Sequence, residues 1–408
     1  MNENGARLKI LVLTSTFPRW EDDTCPVFVA DLCRSLATTM DVTVLAPGAH
    51  RAKSLEAWDG FTVRRFRYAW PSRAQLLANG AILPNIQRNR WLLAQVPLFV
   101  LCELWAAWRL MRRERFDIIH AHWAIPQGLV ASLLKRRFGV PVVITTHGGD
   151  IYALRDGAAL IAKRFALRTS DRVTAVSSAL KAEVVALGID ERRVDVLPMG
   201  VDTSRFTPDA SSPQLRAMLN PAGPVLLFVG RLVEKKGARY AIKAMPEIAA
   251  AHPDARLLVI GDGPERRMLE ELVRAFGVER NVAFLGAVPN RDLPAYYASS
   301  DVFVGPSVVE ENGDTESFGV VYAEAMASGC AVVATDVGGV SDVTGNGEFA
   351  RMVPQRDCDA IARTVCALLS DREVHTAARA RGIRAMRERF DHMRIHRSYA
   401  DIIERLAA

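Results

Sequence analysis

Short apolar segments alternate with amphipathic helical patterns along almost the whole chain, in two successive rounds. The predicted strands of the first round lie at residues 8–13, 42–46, 117–120, 142–146 and 172–176, and those of the second near 225–230, 256–260, 282–285, 302–304 and 331–334. Strands that alternate with helices form parallel sheets with helices on both faces. The pattern therefore predicts an α/β protein made of two doubly wound units.

The length of 408 residues also favours two domains, because a single hydrophobic core stops growing well below that size. A charged fraction of 24% and a hydrophobic fraction of 50% are ordinary for a globular enzyme and argue against extensive disorder. We place the first domain at residues 1–203 and the second at 204–390, with the joint near 202–208.

The positive charge of the chain is concentrated in one region. Residues 51–115 contain twelve Lys or Arg and four acids, a surplus of eight in a chain whose net charge is +6. The rest of the chain therefore carries about −2. No nucleic-acid-binding motif accompanies this region, so we expect no nucleic-acid partner. An anionic membrane surface or a lipid-diphosphate acceptor is the better candidate.

Residues 91–110 lie inside the basic region and carry only Glu103 and Arg109 as charges. The segment is long enough to span a bilayer. However, Pro97, the central Glu103 and the Trp105/Trp108 pair fit an interfacial or core helix better. Two alternatives stay open, a helix that lies on anionic lipid and a helix that packs inside the first domain.

The six cysteines include no C-x-x-C pair and no zinc-ligand spacing, so buried free thiols in a reducing cytosol explain them most simply. The first apolar run, at residues 10–13, is short and predicts a strand, not a signal peptide. We expect a cytoplasmic protein, bound peripherally to the inner face of the cytoplasmic membrane if residues 91–110 lie on lipid.

Residues 316–324 place Glu316 and Glu324 at the two ends of an otherwise apolar segment. By spacing alone, a helix-dipole acid and a surface glutamate are the simpler interpretation. On one continuous helix the carboxylates would lie about 12 Å apart along the axis, close to the length of a nucleotide sugar. The N–H groups of Ser317, Phe318 and Gly319 would then form an anion site between them.

A predicted strand of the second domain ends in Gly230 and Arg231, and a lysine pair follows before the next helix. Open α/β sheets bind phosphate groups at the carboxyl ends of such strands. Arg231 and Lys236 would supply the cations. Similar strand-plus-glycine signals recur at residues 259–264 and 284–289.

Together these motifs resemble glycosyltransferase family 4, the retaining, sugar-nucleotide-dependent enzymes of the GT-B fold. The resemblance extends into the first half of the chain through motifs at residues 16–20, 120–123, 146–150 and 198–202. Each motif is weak alone, but their order and spacing are specific. The resemblance implies two Rossmann-like domains that face a central cleft, with a C-terminal helix over 391–408 that packs back on the first domain.

The resemblance also assigns roles to residues. It implies that Glu316 contacts the donor sugar, that Glu324 binds the ribose and that His147 reaches the donor sugar or the reaction centre. His122 and Asp150 are acceptor-side candidates. The implied catalytic set is His147, Glu316, Arg231 and Lys236, and the implied donor-binding set is Gly230, Arg231, Lys236, Gly263, Gly286, Val288, Glu316, Ser317, Phe318, Gly319 and Glu324.

Family 4 enzymes use a front-side displacement, in which the leaving diphosphate helps to deprotonate the acceptor hydroxyl. Arg231, Lys236 and a helix N-terminus would stabilise the leaving charge, so we expect no metal and no other cofactor. The D-x-D string at 357–359 is better explained as a helix cap. His120 and His122 form an H-x-H pair without an evident third ligand in the sequence.

We therefore expect a hexosyltransferase-type enzyme that moves a sugar from a UDP- or GDP-sugar to a glycan, glycolipid or similar acceptor, including a lipid-linked one. One alternative is a sugar-nucleotide epimerase of the GT-B fold, which the set of Glu316, Glu324, Arg231 and Lys236 disfavours. Another is a non-catalytic subunit of a polysaccharide assembly complex, which the filled motif positions disfavour.

Two features depart from the family pattern. Residues 22–26 stand where many members have a Gly-Gly pair in the loop after the first strand, which puts the contribution of this loop to donor binding in doubt. Residues 310–314 form an acidic loop, which either reads sugar hydroxyls or is only solvated.

Overall fold

The computed structural model describes residues 7–20, 23, 25–220 and 223–407, which form two compact units. The first unit comprises the chain up to Leu197 together with the segment from His396 onward, and the second unit is Pro198–Ile395. The change of unit thus comes a few residues before the predicted joint. Asp22 and Thr24, two residues of the departing loop, lie outside the described residues.

The first unit is built on an eight-stranded sheet with the order β3-β4-β2-β1-β5-β6-β7-β8. Its strands are β1 (Lys9–Leu13), β2 (Asp41–Pro47), β3 (Leu55–Trp58), β4 (Phe61–Phe66), β5 (Ile118–His122), β6 (Val142–Thr146), β7 (Arg172–Ala175) and β8 (Val194–Val196). All neighbours pair in parallel except β3 and β4 at one edge. Helices cover the sheet, so β5 and β6 are buried along their whole length.

The second unit contains a six-stranded parallel sheet with the order β11-β10-β9-β12-β13-β14. Its strands are β9 (Val225–Val229), β10 (Arg256–Ile260), β11 (Val282–Gly286), β12 (Val302–Gly305), β13 (Ala331–Thr335) and β14 (Arg351–Val353). The two parallel-rich sheets confirm the predicted doubly wound α/β architecture.

The helices follow the strands in the alternation that the sequence predicts. Those of the first unit are α1 (Phe28–Leu36), α2 (Ile82–Arg88), α3 (Gln95–Arg113), α4 (Leu129–Phe138), α5 (Gly149–Tyr152), α6 (Gly157–Thr169) and α7 (Ser178–Ala186). Those that follow are α8 (Pro213–Leu219), α9 (Ala238–Ala251), α10 (Arg266–Ala275), α11 (Leu293–Ala298), α12 (Val320–Ala327), α13 (Val340–Thr344), α14 (Cys358–Ser370), α15 (Arg372–Ala385) and α16 (His392–Ala407). Tyr399 of α16 contacts the first unit, where its hydroxyl lies 3.5 Å from the Leu197 carbonyl oxygen.

In each sheet the chain order reverses beside one central strand. β1 lies between β2 and β5, and β9 lies between β10 and β12. Open α/β sheets bind ligands at the carboxyl ends of the strands beside such a reversal. Ligand-binding residues are therefore expected in the loops after β5 and β6 in the first unit and after β9 to β12 in the second.

Helix α3 contains most of the apolar segment whose environment the sequence left open. With the turn before it, Arg90–Arg113 is long and apolar enough to cross a membrane. Only 22% of its most apolar 18-residue stretch is buried. One face packs on the first unit through Phe99, Glu103 and Ala107. The opposite face exposes Leu101 by 61% and Trp105 by 58%. The helix thus has both a packed face and an exposed apolar face.

Glu103 is a fully buried carboxyl on the packed face of α3. Both of its oxygens lie 3.3 Å from the amide nitrogen Nε2 of Gln127. Burial raises the pKa of Glu103 to about 8, and the hydrogen bond from Gln127 only partly offsets this. The carboxyl is therefore mostly neutral at neutral pH, which lowers the cost of burying it.

Candidate active site

The loop after β9 carries the cations that the sequence singled out. Gly230 and the exposed Arg231 follow the strand, and Lys236 closes a short turn just before α9. The Lys236 ammonium donates a hydrogen bond to Oε2 of Glu316, which is 9% exposed. The structure therefore brings together a predicted phosphate ligand and the predicted sugar ligand.

The ion pair sets the charge state of Glu316. Burial acts to raise the pKa of this carboxyl, but the charge and hydrogen bond of Lys236, with the Lys235 charge and the Ser317 N–H, leave the pKa below its ordinary value. Glu316 is therefore an ionised carboxylate in a nearly buried position, and Lys236 is its counter-ion.

The acidic loop holds the neighbouring lysine in place. Lys235 Nζ lies 2.9 Å from Oδ2 of Asp314, and its backbone N–H donates to Oε1 of Glu310 at 3.1 Å. The Lys235 carbonyl oxygen accepts from the Val308 N–H at 2.9 Å. The sequence left the role of this loop open. In the structure, the loop holds the lysine turn in place through an ion pair and hydrogen bonds.

The structure corrects the predicted helix between the two glutamates. Helix α12 begins at Val320, after Gly319 adopts a left-handed φ of 83°, so Glu316 lies in a loop. A Cβ on Gly319 would come within 2.4 Å of the Tyr322 ring, so only glycine fits. The N–H groups of Ser317 and Phe318 therefore precede the helix, and the spacing expected on a continuous helix does not apply.

Glu324 lies in the second turn of α12 and is 8% exposed. The hydroxyl of Tyr297, from α11, donates to its Oε2 at 2.8 Å. Burial raises the pKa of Glu324 to about 7, while the tyrosine hydrogen bond and the charges of Arg205 and Lys236 act to lower it. This carboxyl therefore titrates near neutral pH, in contrast to Glu316.

The predicted glycines lie at the same edge of the sheet. Gly263 follows β10, and a Cβ there would come within 2.4 Å of the Leu232 carbonyl oxygen, so the two loops touch through their backbones. Gly286 ends β11, and its carbonyl oxygen accepts from the Gly261 N–H at 2.8 Å. Val288 follows two residues later and is half-buried. The donor-binding set thus gathers at the carboxyl ends of neighbouring strands.

Three histidines lie side by side at the carboxyl ends of β5 and β6 in the first unit. Nδ1 of His122 is 3.0 Å from Nε2 of His147, and the two rings stack with their centroids 5.2 Å apart. Nε2 of His120 is 2.7 Å from the Thr145 hydroxyl. Burial lowers the pKa of His120 to about 4 and that of His147 to about 3, so both imidazoles are neutral at neutral pH.

Asp150, an acceptor-side candidate, is buried and bonded to the backbone around these histidines. Its Oδ2 accepts from the Ala124 N–H at 2.7 Å, and its Oδ1 accepts from the N–H groups of His147 and Gly148 at 3.1 and 3.0 Å. These bonds join the loop after β5 to the loop after β6. In the structure, Asp150 therefore fixes the position of His147.

Among the described residues, no group of three or more His, Cys, Asp or Glu side chains is arranged to hold a metal ion. Asp357 of the D-x-D string is the N-cap of α14, where its Oδ1 accepts from the Ala360 N–H at 2.8 Å. The expected helix cap is thus confirmed, and the independence from metal stays a prediction.

Comparisons with known proteins agree with the geometry. The family model Glycosyltransferase Family 4 matches residues 26–205, and Glycosyl transferases group 1 matches residues 216–385. A GDP-mannose-dependent alpha-(1-6)-phosphatidylinositol monomannoside mannosyltransferase of Mycolicibacterium smegmatis is 33% identical over 269 residues, which are 64% of this chain and 70% of that protein. The chain belongs to glycosyltransferase family 4.

Other relatives of this glycosyltransferase act on different molecules. The N-acetyl-alpha-D-glucosaminyl L-malate synthase of Bacillus anthracis is 30% identical over 318 residues, which are 77% of this chain and 81% of that protein. Its name shows that proteins similar to this one differ in what they join. The predicted family is confirmed, and the relatives alone do not single out one donor or acceptor.

Solved structures confirm the GT-B fold of this glycosyltransferase. Sucrose-phosphate synthase of Thermosynechococcus elongatus has a TM-score of 0.81 at 22% identity, covering 98% of this chain and 99% of that one. The Anabaena protein HepE, solved with UDP-glucose, has a TM-score of 0.73 at 19% identity, covering 98% of this chain and 100% of that one. At these identities the likeness shows the fold alone.

Sequence reasoning missed one group at the site of this glycosyltransferase, Tyr297, and one pairing, that of Asp314 in the acidic loop. Tyr297 bonds to a glutamate 27 residues away, and Asp314 pairs with a lysine 79 residues away. No periodic pattern connects residues at such separations, because the fold alone brings them together. The one indication in the sequence was Glu324 itself. An acid in an apolar segment needs a hydrogen-bond partner if it is buried, and Tyr297 is that partner.

The loop after β1 of this glycosyltransferase departs from the family pattern, and part of it can be described. Oδ1 of Asp23 lies 2.6 Å from Nη2 of Arg19, and its Oδ2 accepts from Arg19 Nε at 2.7 Å. Cys25 is buried. The described part of the loop is therefore held by an ion pair, and its contribution to donor binding stays open.

Proposed function

We propose that the chain is a retaining glycosyltransferase that moves a sugar from a nucleoside-diphosphate sugar, UDP- or GDP-linked, to a hydroxyl of a glycan, a glycolipid or a similar acceptor. The observation that carries the proposal is the Lys236–Glu316 pair beside Gly230 and Arg231, at the strand-order reversal of the second sheet. Phosphate-binding cations next to a sugar-binding carboxylate are the groups that a sugar-nucleotide enzyme requires. The relatives that use GDP-mannose support this donor class.

In the proposed reaction, the bond from the anomeric carbon to the diphosphate oxygen breaks. A bond to the acceptor oxygen forms on the same face, and the acceptor proton passes to the leaving diphosphate. Arg231 and Lys236 stabilise the charge that develops on the leaving group. When the diphosphate binds the Lys236 ammonium, the Glu316 carboxylate loses its counter-ion. It can then accept hydrogen bonds from hydroxyls of the sugar. His147, a neutral imidazole, would contact the sugar near the reaction centre.

The direct test is turnover of UDP-, GDP- and ADP-sugars with and without candidate acceptors. We expect release of a nucleoside diphosphate that depends on the acceptor, and a product whose anomeric configuration by NMR equals that of the donor. An inverted product would rule out retention. Donor consumption without an acceptor, with a free epimerised sugar as product, would instead identify an epimerase.

We also propose that the reaction needs no metal, because Arg231 and Lys236 supply the positive charge that a divalent cation would provide. Excess EDTA is therefore expected to leave the initial rate unchanged at saturating donor. The rate is measured by release of the nucleoside diphosphate, before and after addition of Mn²⁺ or Mg²⁺. A rate that collapses in EDTA and returns with Mn²⁺ would refute metal independence.

We propose further that the protein is cytoplasmic and binds the inner face of the cytoplasmic membrane, where a lipid-linked acceptor would lie. Support comes from an apolar face next to basic side chains. Trp91 is 87% exposed and Leu98 52%, and both precede the exposed Arg112 and Arg113 at the end of α3. Each arginine near anionic lipid contributes about 1 kcal/mol, and the attraction decays over a Debye length of about 8 Å.

The double substitution Arg112→Glu with Arg113→Glu is expected to release the protein from anionic vesicles while activity on a soluble acceptor remains. Co-sedimentation with vesicles at low and high salt measures the binding. The matched control is Arg267→Glu with Arg280→Glu, which makes the same charge change at exposed sites of the second unit. If the wild type ignores anionic vesicles even at low salt, the membrane proposal is wrong.

A further inference from the structure

Tyr297 is a completely buried phenol whose surroundings hold it in one position. Its ring lies against Phe206 and Phe303, each with centroids 5.9 Å away. The thiol of Cys330 donates to its backbone carbonyl oxygen at 2.9 Å. The ring and the backbone of Tyr297 are therefore both held in place. Its hydroxyl donates to Oε2 of Glu324 at 2.8 Å.

A single hydrogen bond from a fixed donor orients a carboxylate. Glu324 sits on the all-round apolar helix α12, where its neighbours Ala323 and Ala325 offer no polar group. Tyr297 occupies Oε2 and leaves Oε1 for a ligand hydroxyl. A carboxylate that already points one oxygen outward loses little freedom when a diol binds, and this lowers the cost of binding.

We infer that Tyr297 is a positioning residue for nucleotide binding, because it holds the Glu324 carboxylate in the orientation that accepts hydroxyls of the ribose. The inference rests on the proposed function, in which Glu324 binds the ribose. It adds a residue from α11 that no motif of the sequence marks. Tyr297 acts through Glu324 and does not itself contact the nucleotide.

The charged and titratable groups around Glu324 make the role measurable. Tyr297 faces the carboxyl from α11, Arg205 from the segment before α8, and Lys236 from the turn before α9. Burial raises the pKa of Glu324 to about 7, and these three groups restrain the increase. Burial and the Glu324 charge raise the pKa of Tyr297 well above its ordinary value, so the phenol stays a donor throughout.

An ionised Glu324 accepts a hydrogen bond from the ribose more strongly than a protonated one, so nucleotide affinity should fall as the pH drops below the Glu324 pKa of about 7. Tyr297→Phe removes the hydrogen bond and keeps the ring. Its loss raises the pKa of Glu324 further, so the whole affinity profile should move to higher pH. At neutral pH the affinity for UDP or GDP should fall roughly tenfold, and the difference should narrow in alkaline solution.

The test titrates UDP and GDP into the wild type and Tyr297→Phe by calorimetry, on both sides of the Glu324 pKa. Tyr322→Phe is the matched control, since it removes another buried phenol whose hydroxyl bonds to Gly305 and Ser307, and it should leave the profile in place. In a Glu324→Ala background, Tyr297→Phe should add no further loss, because the side chain through which Tyr297 acts is absent.

Three outcomes are distinguishable. A shifted profile with no further loss in the Glu324→Ala background supports the inference. If the wild type binds UDP or GDP but the Tyr297→Phe profile superimposes on it, the inference is wrong and the proposed function stands. If the wild type binds neither nucleotide, the proposed function fails, and the inference fails with it.

Discussion

Lys236→Ala is expected to lower kcat/KM by about 10²- to 10³-fold, the cost of removing one preorganised charge from a transition state. In the proposed reaction this ammonium faces the diphosphate as it gains negative charge. The substitution also leaves Glu316 buried and without its counter-ion, so some loss of stability should accompany the kinetic loss. Steady-state rates at several donor concentrations, together with thermal unfolding, separate the two effects.

Lys235→Ala is the matched control, because it removes the adjacent lysine of the same turn. Lys235 pairs with Asp314 through side chains that are 25% and 21% exposed, so its loss should lower the stability by leaving Asp314 without its counter-ion. Its effect on kcat/KM should be small. Equal kinetic losses in the two variants would show that the turn as a whole matters and that Lys236 has no special contact with the leaving group.

We also expect that substitution of the two glutamates changes different kinetic constants. Glu316→Ala should lower kcat by about 10²-fold with a smaller effect on KM, since a misplaced sugar reacts slowly even when it is bound. Glu324→Ala should raise KM roughly 10- to 100-fold with kcat nearly kept, because ribose contacts are the same before and during the reaction. Initial rates over a wide range of donor concentration measure both constants.

Glu310→Ala is the control for this pair. It removes an acid near Glu316 whose side chain, among the described residues, bonds to the lysine turn and to Asn312, so both constants should change little. Losses confined to KM in both Glu316→Ala and Glu324→Ala would contradict the assigned roles. The ionised Glu316 and the near-neutral titration of Glu324 give an independent sign that the two carboxylates are not equivalent.

Most of both sheets was predictable. Every predicted strand is present, because a strand buried on both faces reads as an uninterrupted apolar run. Three of the strands that escaped prediction, β3, β8 and β14, are short and lie at sheet edges, and the fourth, β4, lies inside the sheet but has an apolar run broken by Thr62, Arg64 and Arg65. At an edge, polar residues are tolerated on the exposed side, so the apolar run is interrupted and the signal is lost.

The grouping of the candidate site residues could be predicted only in part, and their roles stay predictions. The glycine-rich strand ends and the lysine pair could be found because backbone approach and charge require particular residue types at particular points of a strand-helix connection. The start of α12 was wrong by several residues. Gly319 is left-handed at the end of the loop, and the Tyr322 ring packs against it so closely that a side chain would not fit. A residue pattern does not reveal that contact.

The sequence by itself therefore determined the α/β class, the two doubly wound units and the family, and it predicted the neighbourhood of a donor site. Each of these follows from local apolar periodicity or from short motifs, which act within a few residues. Only the tertiary structure decided which groups meet, such as Lys236 with Glu316, Lys235 with Asp314 and Tyr297 with Glu324. These partners come from different strand-helix connections, and only the packed sheet brings them within hydrogen-bonding distance.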